Sequence, residues 1–153
     1  MRSGVRIGVD VGTARVGVAR SDRDALLATP VETLVRDATT IGRLRGMADE
    51  LDPIEFVVGL PISLSGADTA STTDARAFAL DLAQASTVPV RLVDERLSTV
   101  SAQRALRESG RRAKGSRPVI DQVAAVIILQ NALDFERTAS RPPGATVDPY
   151  ESQ

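Results

Sequence analysis

Neither cysteine nor histidine occurs anywhere in the chain. The first absence removes disulfides, thiolate metal sites and cysteine nucleophiles, and the second removes serine–histidine triads and imidazole-ligated zinc. Tryptophan is missing too, and aromatic residues make up only 3% of the sequence. A core must then be built from Val, Leu, Ile and Ala, and rows of aromatic side chains that stack on single-stranded bases are not expected. Long apolar runs are also lacking. The longest, Val123 to Leu129, is seven residues, against about 20 needed to span a bilayer. The segment Met1 to Val9 is too short and too interrupted for a signal peptide. The expectation is a cytoplasmic protein with no membrane partner, whose chemistry rests on carboxylates, hydroxyls, amides and guanidinium groups.

A length of 153 residues with 42% hydrophobic content fits one domain with a real core. The net charge of −1 conceals an asymmetry. From Arg96 to Arg117 there are seven basic residues (Arg96, Arg104, Arg107, Arg111, Arg112, Lys114, Arg117) and one acid, Glu108, so this stretch carries +6 and the remainder −7. A basic island on an acidic body is a candidate phosphate footprint. A solvated arginine-rich helix and loop would look the same.

Val5 to Asp10 reads as a strand that ends at the glycine-bearing turn Val11-Gly12-Thr13. Val16 to Ala19 and Leu26 to Val31 follow as strands, which suggests an antiparallel meander. Ile41, Leu44, Met47, Ala48 and Leu51 give Ala38 to Leu51 helical spacing. After Asp52-Pro53, Ile54 to Val58 forms a strand running into Gly59-Leu60-Pro61. The polar loop Ser63 to Asp68 precedes a helix whose core face is Ala75, Phe78, Ala79, Leu82 and Ala83. Val90 to Val93 is a further strand, closed by Asp94-Glu95-Arg96. Ser98 or Thr99 caps a helix to about Ser109, and Gly110 to Arg117 reads as a flexible basic loop. Pro118 suits the first turn of a last helix, which reaches about Arg137. From Thr138 the chain has little apolar material and reads as disordered. One domain over 1–137 and a tail over 138–153 result. The predicted fold is α/β: a mixed five-stranded sheet flanked by helices.

Asp10 closes the first strand and Glu95 follows the last. Ligands of open α/β sheets collect beyond the carboxyl ends of parallel strands. If the first, fourth and fifth strands are neighbours, these acids flank Gly59, which has no side chain. They would face each other across two strand spacings, about 10 Å between backbones. Asp121, in the first turn of the last helix, would join them if Ala124, Ala125 and Ile128 pack on the sheet. Converging carboxylates need a cation, and an all-oxygen donor set favours Mg²⁺ or Mn²⁺. A pair of such ions activates water and stabilises the leaving oxygen in phosphodiester hydrolysis. Each acid has a structural alternative. Asp10 is also an ordinary turn residue before Gly12, Glu95 a partner in an ion pair within Asp94-Glu95-Arg96, and Asp121 a complement to the helix dipole. Strand alternation puts Asp94 and Glu95 on opposite faces. The backbone amides and hydroxyl of Gly8-x-Asp10-x-Gly12-Thr13 suit a phosphate.

Four stretches follow one another between positions 8 and 129: Gly8-Val9-Asp10-Val11-Gly12-Thr13, Val58-Gly59-Leu60-Pro61, Asp94-Glu95-Arg96-Leu97-Ser98-Thr99, and Asp121 followed by Ala124-Ala125-Val126-Ile127-Ile128-Leu129. In this combination the chain resembles the YqgF/RuvX family. The resemblance implies an RNase H-like fold, kinship with Holliday-junction resolvases, and a nuclease that matures the 5′ end of the small-subunit ribosomal RNA precursor. It implies Asp10, Glu95 and Asp121 as catalytic acids and metal ligands, with Mg²⁺ or Mn²⁺ as cofactor. Nucleic-acid contacts are expected from Gly12, Thr13, Arg96, Arg111, Arg112, Lys114 and Arg117. The expected partners are a ribosomal RNA precursor or branched DNA, and a second copy in a homodimer. Two other classes compete. Actin-like and sugar-kinase phosphotransferases share Gly-x-Asp-x-Gly-Thr but clamp nucleotide between two lobes. A non-catalytic transcription or ribosome-assembly factor would use the same arginine island.

Overall fold

Alternation of apolar side chains along the first strand gives it one apolar face, and the computed structural model has helices on both faces of the sheet. It describes residues 1–97 and 117–150, with backbone alone for Leu97 and residues 117–121. The strands are β1 (Arg6–Val11), β2 (Arg15–Ser21), β3 (Ala28–Val35), β4 (Glu55–Leu60), β5 (Val90–Asp94) and β6 (Ala145–Thr146). The helices are α1 (Thr40–Leu51), α2 (Ala70–Ala85) and α3 (Arg117–Ala139). The sheet order is β3-β2-β1-β4-β5-β6. The first three strands pair antiparallel, β4 lies parallel between β1 and β5, and β6 pairs antiparallel with β5.

Every residue of β1 and β4 is buried, as expected of central strands with helices on both sides. On one face Ile7, Val9, Val16, Val18, Phe56 and Val58 meet Leu44 of α1 and Phe78, Ala79 and Leu82 of α2. The expected core face of α2 is buried throughout. On the other face Ala19 and Val57 meet Ala124, Ala125, Ile128, Leu129 and Leu133 of α3. Fully burying a residue such as Phe56 or Leu129 contributes about 1.5–3 kcal/mol, so the two layers are strong anchors for the strands between them.

Polar residues fix where the elements begin. Thr69 and Thr72 form a reciprocal capping box at the start of α2, and the Thr72 hydroxyl also donates to the Pro61 carbonyl. That bond ties α2 to the end of β4. At the end of α1, Asp52 adopts a left-handed conformation with φ 48° and its N–H returns to the Ala48 carbonyl.

The structure departs from the sequence reading in three places. β3 lies further along than Leu26 to Val31, because the Asp22 carboxylate accepts the N–H groups of Leu26 and Leu27 at 2.8 and 2.9 Å. Those two leucines are held in a turn and stay exposed. The sheet has six strands, not five, the extra one coming from the segment read as disordered. Gly144, with φ +63°, turns the chain so closely onto β5 that a Cβ there would lie 1.9 Å from the Leu92 carbonyl oxygen. β6 then covers hydrogen-bonding groups on the β5 edge, which would otherwise be open. Finally, α3 begins at Arg117, which places Asp121 beyond its first turn. The helix expected from Ser98 or Thr99 to Ser109 and the loop at 110–116 lie outside the described residues. Among the described residues no helix is long and apolar enough to cross a membrane.

Candidate active site

Side chains alternate along β1, so Arg6, Gly8 and Asp10 share the face that α3 covers. Glycine at position 8 is required by contact: a Cβ there would stand 2.8 Å from Leu129 Cβ and 3.1 Å from the Ala125 carbonyl oxygen. α3 therefore lies almost on the β1 backbone, and Asp10, one alternation further on, is fully buried.

The sheet order fulfils the condition set from the sequence, since β4 separates β1 from β5. Val9 is paired with Val58, so Asp10 lies level with Gly59, which is itself paired with Val93. Glu95 opens a 3-10 turn immediately after β5 and is 3% exposed. Its carboxylate occupies the space above Gly59. A Cβ at position 59 would be 2.6 Å from Glu95 Oε1 and 2.5 Å from Ile128 Cδ1. The missing side chain of Gly59 is thus the cradle in which the Glu95 carboxylate rests, on the Asp10 side of the sheet.

Asp94 turns the other way, as alternation predicts. Its carboxylate binds Arg96, with Nε at 3.1 and 3.0 Å, Nη2 at 2.6 Å and the backbone N–H at 2.9 Å. The Arg96 side chain, through these hydrogen bonds, holds Asp94 below the usual carboxylate range. An ion pair is present at this trio, between residues 94 and 96.

α3 runs antiparallel to β1. Glu136 bonds Arg6 near the start of that strand, and Ala125 and Leu129 lie against Gly8. Asp121 is one helical turn before Ala125, about 6 Å along the axis, and Asp10 is about 7 Å beyond Gly8 along the strand. The helix backbone therefore carries position 121 toward the Asp10 end. Among the described residues no three acidic side chains gather closely enough to hold a metal ion. Asp121's side chain lies outside that description.

The glycine-rich turn is occupied by its own structure. The Gly12 N–H donates to the Arg15 carbonyl at 2.9 Å, so this amide closes the β1–β2 hairpin instead of facing a phosphate. Thr13 is exposed beside it. Arg36, which the sequence reading passed over, donates to the Gly12 carbonyl at 2.9 Å, pairs with both oxygens of Asp74 and lies 5.3 Å from the centre of the Phe78 ring. Arg111, Arg112 and Lys114 lie outside the described residues, and Arg117 is described as the first backbone residue of α3.

A second group of charges was also missed. At the opposite end of the sheet Arg2 bonds Glu55 at 3.0 Å and Glu136 at 2.6 Å, Arg6 bonds Glu136 at 2.9 Å, and Arg91 bonds Glu55 at 3.2 Å. Arg6, Glu55 and Glu136 are each at most 3% exposed. Burial pushes the Glu136 carboxyl up, but hydrogen bonds from the Arg2 side chain and backbone and the charges of Arg6 and Arg2 outweigh it and bring it to about 2. The signal was legible: charged residues inside two otherwise apolar strands need partners.

Comparison with known proteins follows this geometry. The family model of RuvX, described as Holliday junction resolvase, matches residues 4–135. A protein of Clavibacter michiganensis subsp. michiganensis named "Putative pre-16S rRNA nuclease" is 61% identical over 150 residues, covering 96% of this chain and 93% of its own. One of the same name from Streptomyces coelicolor is 54% identical and covers 97% of this chain and 90% of its own. Among solved structures, Thermus thermophilus RuvC in complex with a Holliday junction substrate superposes with a TM-score of 0.56. It covers 94% of this chain and 99% of its own at 19% identity, a likeness of fold.

Proposed function

The chain belongs to the RuvX family, and on that premise we propose that it is a divalent-metal-dependent nuclease that hydrolyses phosphodiester bonds in structured nucleic acid. The proposed cellular substrate is the 16S ribosomal RNA precursor, the substrate in the names of its relatives, with its 5′ end as the site of cleavage that the family resemblance implies. A four-way DNA junction is the second substrate class.

The observation that supports this reading is the Glu95 carboxylate held above side-chain-less Gly59, on the face where Asp10 is buried. Asp10 and Glu95, with Asp121 as third donor, offer oxygen atoms alone, which fits Mg²⁺ or Mn²⁺ better than softer ions. When bound, the cation supplies Lewis-acid polarisation of the phosphate and activation of water. Asp10, on a strand enclosed by the sheet, would hold that cation with almost no freedom to move. Glu95, carried by a turn, would hold it from across β4. α3, packed on Gly8, excludes bulk water from the inner side. In the overall step a water oxygen bonds to phosphorus, the bond from phosphorus to the leaving oxygen breaks, and that oxygen takes a proton.

Incubation of the wild type and Asp10→Asn with labelled ribosomal RNA precursor and with a four-way junction tests this. Mg²⁺ and Mn²⁺ support cleavage by the wild type, EDTA abolishes it, and Ca²⁺ permits binding with little reaction. Asp10→Asn binds and folds but does not cleave. Cleavage that survives EDTA, or wild-type rates in Asp10→Asn, sinks the site. If no cation elicits cleavage of either substrate, the chain is a nucleic-acid-binding factor instead.

A further inference from the structure

A glutamate past the last ladder bond of a strand has no sheet to hold its backbone. Glu95 is in that position, and its carboxylate lies above Gly59. The two residues that flank it shape the turn that carries it. Asp94 Oδ1 accepts the Arg96 N–H, which closes a turn around Glu95, and the same carboxylate grips Nε and Nη2 of the Arg96 side chain. Residues 94 and 96 are thereby drawn to one side and residue 95 is turned to the other. The β4–α2 loop fits around the pair. Gly66, with φ +86°, would place a Cβ only 3.3 Å from Arg96 Nη1. A half-exposed ion pair adds little to stability, so four hydrogen bonds around one turn matter chiefly for its geometry.

We propose that Asp94 and Arg96 are positioning residues: a clamp across Glu95 that keeps its carboxylate above Gly59 and directed to the cation shared with Asp10. Arg96 then acts through Asp94, not as a phosphate contact. The inference rests on the metal-site reading above.

Mn²⁺ binding without nucleic acid separates the clamp from simple electrostatics. Removing a cation beside an acidic site would, by Coulomb's law alone, tighten Mn²⁺ binding. Loss of the clamp acts in the opposite direction. Arg96→Ala is expected to weaken Mn²⁺ binding about tenfold, the typical effect of losing an outer-shell partner. Arg96→Lys keeps the charge but loses the planar fork, and is expected to weaken it in the same sense. Junction binding in Ca²⁺ keeps its wild-type salt dependence in both. Unchanged or tighter Mn²⁺ binding in either variant overturns the clamp. So does a log–log salt slope lower by about 0.7–0.9, the mark of one lost phosphate contact. Mn²⁺ binding by a wild type that cleaves nothing removes only the nuclease reading. A wild type that binds no Mn²⁺ removes both.

Discussion

Two glycines on the same face of the sheet separate stability from function. A Cβ at Gly8 collides with Leu129 Cβ and a backbone oxygen of α3, neither of which can swing aside. Gly8→Ala is therefore expected to cost about 1–3 kcal/mol, measured by urea denaturation. At Gly59 the collisions are with side-chain atoms alone, Glu95 Oε1 and the Cδ1 and Cγ1 of Ile128, and none is with backbone. Gly59→Ala is expected to lose less than about 1 kcal/mol while cleavage and Mn²⁺ binding collapse, because Glu95 leaves its cradle. Equal loss of stability in both variants, or full activity in Gly59→Ala, contradicts the cradle. Gly59 was legible in the sequence as a gap between two acids, since strand order and alternation are enough to find it. The Asp94–Arg96 clamp was not, because it depends on the chain leaving the strand as a tight turn, and periodicity says nothing about turns.

The charged cluster at the far end of the sheet joins four elements: β1 through Arg6, β4 through Glu55, β5 through Arg91 and α3 through Glu136. Glu136 titrates from an ordinary 4.5 down to about 2 in the fold. A depressed carboxyl stabilises the folded state above its ordinary value, and that contribution is lost as pH falls from about 4.5 through 2. Allowing for the half-exposed Arg2, the loss is expected to be on the order of 2 kcal/mol. Urea midpoints of the wild type should fall over this window more steeply than those of Glu136→Gln, and parallel curves would show that the cluster is not coupled to folding. Element types were otherwise readable from spacing. The misplaced start of β3 and the unexpected β6 have a common cause. Both depend on single polar or glycine residues, Asp22 and Gly144, that redirect backbone hydrogen bonds without changing hydrophobic pattern.

Across the whole chain a net charge of −1 divides into +6 between Arg96 and Arg117 and −7 elsewhere. If the island faces nucleic acid, replacing Arg111, Arg112 and Lys114 together with alanine weakens binding of unrelated sequences alike. It also flattens the log–log salt dependence by about 0.7–0.9 per lost contact, read from binding isotherms at several salt concentrations. An unchanged slope would mean a solvated surface. That asymmetry was plain in the sequence, whereas Asp94 as the acid paired with Arg96 was not. The molecule also contains a ruler. α3 is fixed against β1 at Glu136, and position 121 lies about 22 Å away along the same rigid rod. A slip of a single residue turns a helix by about 100°, which would carry position 121 to a different side of the helix axis. The distant salt bridge thus sets the alignment of the proposed reaction centre, which it never touches, much as the fixed end of a caliper decides what its jaw can measure.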